Sequence, residues 1–298
     1  GRTVVALKRV ERLESVPQTR THGARVSGLL RSNLVNYILL TIGALVMVAP
    51  FIWMLSTSFK PQAETITFPP QLLPKRPTLE NYTQVFERLN MVRLYMNTAY
   101  VAVVKTVVNV YTSTLIGYVF GKFTFRGRDV LFYLVLSTWI IPFEVYMIPL
   151  YVMMVNMHLG NTYWALIIPE ISSAYAVFLF RQFMFTIPND LLDAARIDGA
   201  GEWRIFHSIV LPLARPVVAT LVAFFFMWNW NDFLWPLIVL TTSDKYLLPL
   251  GLSMMVAEFG TQYGMLMAGA SLAIVPVLMV FVSVQRYIIE GIALTGFK

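Results

Sequence analysis

The sequence predicts an all-α membrane protein with six transmembrane helices, and three observations predict it. Of its 298 residues, 57% are hydrophobic and only 13% charged, with a mean hydropathy of +0.64; soluble domains carry about 25% charged residues. Six apolar stretches, 34–56, 95–119, 130–155, 163–185, 216–240 and 265–288, each come near the roughly 20 residues that cross a bilayer core. The basic residues are then distributed unevenly between the two sides. Seven Lys and Arg lie in 1–33, and Lys122, Arg126 and Arg128 follow the second span. Arg181, Arg196, Arg204 and Arg215 flank the loop 186–215, and Arg286 and Lys298 follow the last span. The positive-inside rule therefore places both termini and that loop in the cytoplasm of a multi-pass protein of the cytoplasmic membrane.

Residues 1–33 are polar and basic without an apolar core of their own, which argues against a cleaved signal peptide. They read as a cytoplasmic tail, or as an amphipathic surface helix around Val4 to Leu13. The first transmembrane helix occupies 34–60. The segment 61–94 lies on the far side, and Pro61, Pro69, Pro70, Pro74 and Pro77 make it extended rather than helical. Thr78-Leu79-Glu80-Asn81-Tyr82 then opens a short helix into the second span. Gly117 and Gly121 near the end of that span have the small-xxx-small spacing that lets helices pack closely. Residues 95–288 form a core of five spans, and 289–298 a second cytoplasmic tail. Between the last two spans, 241–264 is apolar but broken by Pro249, Gly251, Gly260 and Gly264, too irregular for a seventh crossing. A re-entrant packing segment and an outward-reaching loop are both open for it.

The loop 186–215 is a polar island. Pro188-Asn189-Asp190 supplies a turn and two cap residues, Leu191 to Asp198 reads as a short helix, and Gly199 stands where a left-handed C-cap ends it. Leu191, Ala194 and Ala195 share one small, apolar face. A second helix from about Gly201 to Val210 is expected to end at Pro212. Together the two make a docking platform at the membrane surface. Asp193-Ala194-Ala195, Gly199 and Ile209-Val210-Leu211-Pro212 closely resemble the EAA signature of the permease subunits of ABC importers, with Asp193 in place of the leading Glu. That resemblance implies a coupling helix seated in a groove of an ATP-binding subunit. It carries the coupling role onto Asp193, Ala194, Ala195, Gly199, Ile209, Leu211 and Pro212.

Within the spans lie four ionisable residues, Lys105, Glu144, Glu170 and Asp232. Each costs about 2.5 to 3.5 kcal/mol against lipid on insertion scales, so each should face protein or water. Pro142 and Pro149 flank Glu144, and Pro169 precedes Glu170, so both carboxylates sit where helical hydrogen bonding is interrupted and a cavity can form. A translocation pathway and simple pairing with neighbours are both open. Trp228-Asn229-Trp230-Asn231-Asp232-Phe233-Leu234-Trp235 sets flat aromatic faces beside amides and a carboxylate, the groups that meet the C–H faces and hydroxyls of a sugar. Tryptophans at this depth also serve as interfacial anchors, and packing near a gate is a further role open to Asn231 and Asp232.

The run Trp230 to Leu237 resembles the fifth-span motif of carbohydrate importer permeases of the maltose type. Ser58-Phe59-Lys60-Pro61 through Glu80-Asn81-Tyr82 is similar to their outer segment. The resemblance implies a type I importer core of the MetI-like kind and a carbohydrate cargo, with an oligosaccharide favoured. It also implies a second homologous permease, two ATP-binding subunits that hold ATP and Mg, and an extracytoplasmic solute-binding protein. Lys60, Lys75, Arg76 and Lys245 with Lys105 leave open an acidic, uronic-acid oligosaccharide such as alginate. A glycerol phosphate or polyol is a further alternative, and a gradient-driven secondary transporter is the rival of another class.

Other chemistry finds no footing in the sequence. No GxxxxGK[ST] loop is present to cradle ATP, no HExxH or GxSxG occurs, and His22, His158 and His207 stand apart. The chain is therefore expected to be a non-catalytic subunit that binds no cofactor or metal. With no cysteine it has neither disulfides nor a thiolate site. The formal charge of +7 follows the topology and anionic headgroups, not nucleic acid.

Overall fold

The computed structural model describes residues 22–259 and 262–295, and all regular structure among them is helical. The surface helix expected at Val4 to Leu13 lies outside the described residues, as do 296–298 of the second tail. The chain forms two compact units, Gly1–Trp53 and Met54–Lys298. Helix α1, His22–Ser58, runs through the boundary, and its stretch Val35–Ser58 is long and apolar enough to cross a membrane. The helix itself begins at His22, so residues 22–33 continue it below that stretch.

In the second unit the proline-rich segment makes one helical turn, Gln62–Thr65, and is otherwise non-helical up to α2, Glu80–Arg88. Asn81 locks it in place. Its Nδ2 donates to the carbonyls of Ser58 and Lys60 at 2.8 Å each, while Phe59 and Tyr82 pack ring against ring at 5.3 Å. Asn90 then caps α3, Met91–Lys122, by accepting from the Arg93 amide, as an exposed helix start requires. Helix α3 is the axis of this unit. Against it pack α7, Ala174–Met184, and α10, Arg215–Trp230; α10 in turn packs on the last helix, Tyr263–Thr295.

Two of the six expected spans besides the first are unbroken helices, Met91–Lys122 and Tyr263–Ser283. The remaining three are broken. Helices α4, Arg128–Ile140, and α5, Phe143–Asn156, meet at 99° around Ile141-Pro142. The short α6, Trp164–Ile167, runs through a 3₁₀ turn at Ile168–Glu170 and meets α7 at 42°. The fifth expected span, 216–240, ends as a helix at Trp230 and resumes only as the short α11, Leu234–Val239. Pro142 lies in the first break and Pro169 beside the second, where a ring without an N–H cannot continue the ladder, whereas residues 231–233 contain no proline. Between Thr241 and Gly264 the chain forms α12, Leu248–Phe259, too short to cross.

Close contacts follow the glycines. A Cβ on Gly117 would lie 2.9 Å from the Phe180 Cβ, and one on Gly121 only 2.5 Å from the Met184 Cβ. The spacing read as permitting close packing is thus where α3 and α7 touch.

Candidate functional site

The platform is built from α8, Asn189–Ile197, and α9, Glu202–Ile205. Gly199 joins them at φ +83°, and the Ala200 amide donates to the Ala195 carbonyl at 3.0 Å, closing the left-handed C-cap expected there. Helix α8 begins two residues earlier than the sequence suggested. Asn189 is consequently its first helical residue and not its cap, and its Oδ1 accepts from Lys122 Nζ at 2.7 Å.

Two of the sequence expectations are corrected here. Pro212 does not end the second helix. A π turn at Phe206–Val210 precedes Leu211–Leu213, placing Pro212 in a first turn where its missing N–H is harmless, and the chain bends by 81° at Ala214, between Leu213 and Arg215. Nor do Leu191, Ala194 and Ala195 act as one face. Leu192 and Ala195 are buried against Tyr118, Phe180, Met184 and Phe206, whereas Leu191, Ala194 and Ile197 point outward, Ile197 with 87% exposure. Trp203 on α9 is also exposed. Ile209 and Leu211 pack beneath the platform, so they support the outward face without belonging to it.

A polar brace stands behind this face. Arg196 donates to Glu202 at 2.7 Å and to Asp193 at 2.6 Å, and the Tyr118 hydroxyl of α3 donates to Glu202 at 2.8 Å. The hydrogen bonds to Glu202 and then Asp193 raise the Arg196 guanidinium further above its ordinary value, so it is charged at every accessible pH. Asp193, the residue departing from the EAA pattern, is thereby engaged within its own helix.

The second feature is a cavity of about 700 Å³ bordered by the breaks at Pro142, at Pro169 and after Trp230. Of the residues singled out in the sequence, Glu144, Glu170, Trp228, Asn231 and Asp232 line it. Lys105 does not. It is 1% exposed behind the wall, with Nζ 2.9 Å from Glu170 Oε1 and 3.0 Å from Asp232 Oδ2. Asn229 is likewise turned away and buried, donating to Thr106 Oγ1 at 3.1 Å. Of the tryptophans, Trp230 and Trp235 are buried, their indoles donating to the carbonyls of Ala273 and Ala165. Trp228 alone of the three presents an exposed ring, stacked on Phe224.

Sequence reasoning missed two contributions. Tyr146 and Phe224 line the cavity, yet nothing distinguishes them from other aromatics in an apolar helix. The polar residues of α3 had a signal, their recurrence every three or four positions from Lys105 to Ser113 in an otherwise apolar span. Asn109 Nδ2 donates to the Glu170 carbonyl at 2.8 Å, Thr112 Oγ1 to the Ile171 carbonyl, and Ser113 Oγ accepts from the Ser173 amide at 2.9 Å. They satisfy the backbone groups that the Pro169 break releases.

The cations set beside an acidic cargo stand in different surroundings. Lys60 is buried and donates to the Gln71 carbonyl, and Lys245 donates to the Asn161 carbonyl at 2.8 Å. Lys105 serves two carboxylates, leaving only Lys75 and Arg76 exposed. Among the described residues no group of three or more His, Cys, Asp or Glu could hold a metal.

An apolar helical bundle with three broken spans around a cavity, carrying a braced platform at one end, is the architecture of a membrane transport component. The chain belongs to the family of binding-protein-dependent transport system inner membrane components, whose family model matches residues 113–293. It is similar to the arabinooligosaccharides transport system permease protein AraQ of Halalkalibacterium halodurans, 38% identical over 87% of this chain and 96% of that one. It also resembles the lactose transport system permease protein LacG of Rhizobium radiobacter, 34% identical over 87% of this chain and 94% of its relative. The sn-glycerol-3-phosphate transport system permease protein UgpE of Rhizobium meliloti is 35% identical, over 89% and 97%. In fold it matches a chain from the crystal structure of a bacterial ABC transporter that imports the acidic polysaccharide alginate. That match has a TM-score of 0.76 at 24% identity, over 90% of this chain and 99% of the other.

Proposed function

We infer that this permease carries an oligosaccharide inward across the cytoplasmic membrane, and that the cavity wall is its half of the pathway. The observation that carries this reading is the wall itself: the carboxylates of Glu144, Glu170 and Asp232 stand among Phe143, Tyr146, Phe224 and Trp228. Carboxylates accept hydrogen bonds from sugar hydroxyls, and aromatic faces cover the C–H side of a pyranose or furanose. The relatives named for arabinooligosaccharides and lactose support a carbohydrate cargo.

The same wall favours a neutral sugar over an acidic one. It carries three carboxylates against one lysine, and that lysine is behind it. A uronate about 5 Å from one wall carboxylate is disfavoured by about 3 kcal/mol at an effective dielectric near 20. Glycerol phosphate meets the same repulsion.

Energy enters from partners. The outward Leu191, Ala194, Ile197 and Trp203 form the face on which an ATP-binding subunit docks, with Gly199 shaping its end, Ala195, Ile209 and Leu211 holding it from beneath, and Pro212 following them in the chain. Two such subunits hold ATP and Mg, and this chain binds neither. A second, homologous permease closes the open side of the cavity, and an extracytoplasmic solute-binding protein delivers the sugar. The basic flanks support a cytoplasmic position for the platform and both termini. Closure of the ATPase pair then carries α8 and α9 as a body and rocks the spans between inward-facing and outward-facing states.

The test is uptake by the co-expressed complex in proteoliposomes with its binding protein, using neutral and acidic oligosaccharides and glycerol 3-phosphate. The expected result is ATP-dependent uptake of a neutral oligosaccharide by wild type and none by Gly199→Asp at equal assembly. Uptake without ATP, or surviving the loop substitution, overturns the coupling reading in favour of a gradient-driven carrier. Preferred uptake of the acidic sugar or of the phosphate overturns the reading of the wall.

A further inference from the structure

The charge cluster at the cavity has an arrangement that the transport reading alone does not require. One fully buried lysine, in the middle of an unbroken 32-residue helix, meets carboxylates from two different breaks. Glu170 belongs to the 3₁₀ turn between α6 and α7, and Asp232 to the turn between α10 and α11. Their side chains are 36% and 15% exposed toward the cavity, whereas Lys105 is 1% exposed. Two of the three ammonium N–H donors are thus spent on groups that would otherwise repel each other.

Turns at broken spans are the weak points of a helical bundle, since they lack the i→i−4 ladder that stiffens a helix. Side-chain bonds of Asn109, Thr112 and Ser113 to the backbone of 170–173 tie that break to α3. The turn after Trp230 has less: Asn229, just before it, donates to Thr106 Oγ1 of α3 at 3.1 Å. Asn231 Nδ2 bonds only within its own helix, to the Met227 carbonyl, and the Asp232 amide reaches the Asn229 carbonyl at 3.4 Å. The side-chain bond from Lys105 is the tie from Asp232 to α3.

We propose that Lys105 is a positioning residue, a two-armed clamp that fixes the breaks at 168–173 and 231–233 to α3 and so sets the spacing of the two carboxylates that face the cargo. It does not touch the cargo. The role of those carboxylates rests on the reading of the cavity as a sugar pathway; the mechanical claim, that the two turns are held by this amine, stands apart from it.

The absence of cysteine from the chain makes the claim testable without knowing the cargo. Single reporters, Ser172→Cys at one break and Phe233→Cys at the other, are introduced into the assembled importer with Ser208→Cys on the platform as a control; all three native residues are exposed. Maleimide labelling of this chain is followed with Lys105 intact, in Lys105→Met, in Lys105→Arg, and in the neutral triple Lys105→Met/Glu170→Gln/Asp232→Asn. The triple leaves no uncompensated buried charge, so it assembles even if Lys105→Met does not.

The expected result is labelling at least fivefold faster at 172 and 233 in the Met and triple variants, an unchanged rate at 208, and restoration to within twofold by arginine, whose fork can also bond two carboxylates. Unchanged rates at 172 and 233 in the triple overturn the clamp, as does an equal rise at 208, which marks general loosening. Arabinotriose uptake is measured in parallel. Uptake by wild type with a KM raised about tenfold in Lys105→Met joins the clamp to the pathway; failure of wild type to import any oligosaccharide sinks the sugar reading, while the labelling rates still decide the clamp.

Discussion

Gly199 is the residue whose identity is most directly dictated by backbone. At φ +83° it occupies a region that costs an L-residue roughly 1 kcal/mol, yet a Cβ there would meet nothing within 4 Å. Gly199→Ala should therefore lower platform stability by about 1 kcal/mol through the backbone alone, and Gly199→Asn by less, since asparagine tolerates this conformation. Thermal unfolding of the purified complex checks the order; a larger loss in the asparagine variant contradicts it. Gly264 is the opposite case. A Cβ there would lie 2.6 Å from Asn81 Oδ1, so Gly264→Ala must displace the side chain that bonds the Ser58 and Lys60 carbonyls. Leaving two buried carbonyls short of a donor costs about 1 to 3 kcal/mol each, and the variant should unfold well below Gly199→Ala in the same scan. Both roles could be suspected from sequence only in part. Gly199 followed a helix signal, whereas the neighbour of Gly264 is 183 positions away in the chain.

Among the elements, the platform is useful only if its motion reaches the spans. Tyr118 near the end of α3 and Arg196 on α8 meet at Glu202 on α9, so three helices share one carboxylate. Tyr118→Phe keeps the ring packing and removes one bond, worth roughly 1 to 2 kcal/mol beside a charged acceptor. The expected outcome is ATP hydrolysis near the wild-type rate with several-fold less sugar imported per ATP; proportional loss of both rates argues that the bond serves folding and not transmission. A second expectation concerns the α3–α7 contact. Gly121→Val has no room beside Met184 and should reduce the amount of assembled complex, measured by co-purification of the partners. Pro142 and Pro169 marked two of the breaks, because a lost N–H is visible in the sequence, yet Pro50, Pro149 and Pro276 lie inside continuous helices. The angles of 99°, 42° and 81° were not legible, because they depend on what packs against each limb. The same reason turned Ala195 inward while Leu191 and Ala194 stayed on the outward face of α8. Apolar residues line both its sides, and periodicity cannot say which side the chain itself covers.

At the scale of the whole molecule, three spans were legible as unbroken helices because the bilayer imposes one length on a crossing, and the other three expected spans are crossings only if each bent pair counts as one. What joins them was not, since Lys105 lies 65 and 127 positions from its two partners. The ionisable residues were nonetheless flagged by the cost of placing charge in lipid, and the structure brings Lys105, Glu170 and Asp232 together. Helix α3 carries a consequence of its own for biogenesis. Thr98, Lys105, Thr106, Asn109, Ser113 and Thr114 are all buried in the folded bundle. Emerging from the ribosome before α7 and α10, the same residues have no partners, and α3 is the least apolar of the three unbroken spans. It is a poor candidate for release into lipid by itself. A nascent chain truncated after α3 should therefore leave this helix incompletely inserted, and extension through Trp230 should rescue it, as glycosylation tags on the loops can report. Full insertion of the truncated chain would show that the polar stripe is tolerated in isolation. On the expected result, the polar residues buried in the folded bundle also make entry into the membrane a collective event, in which a helix made early stays at the insertion machinery until helices made later arrive.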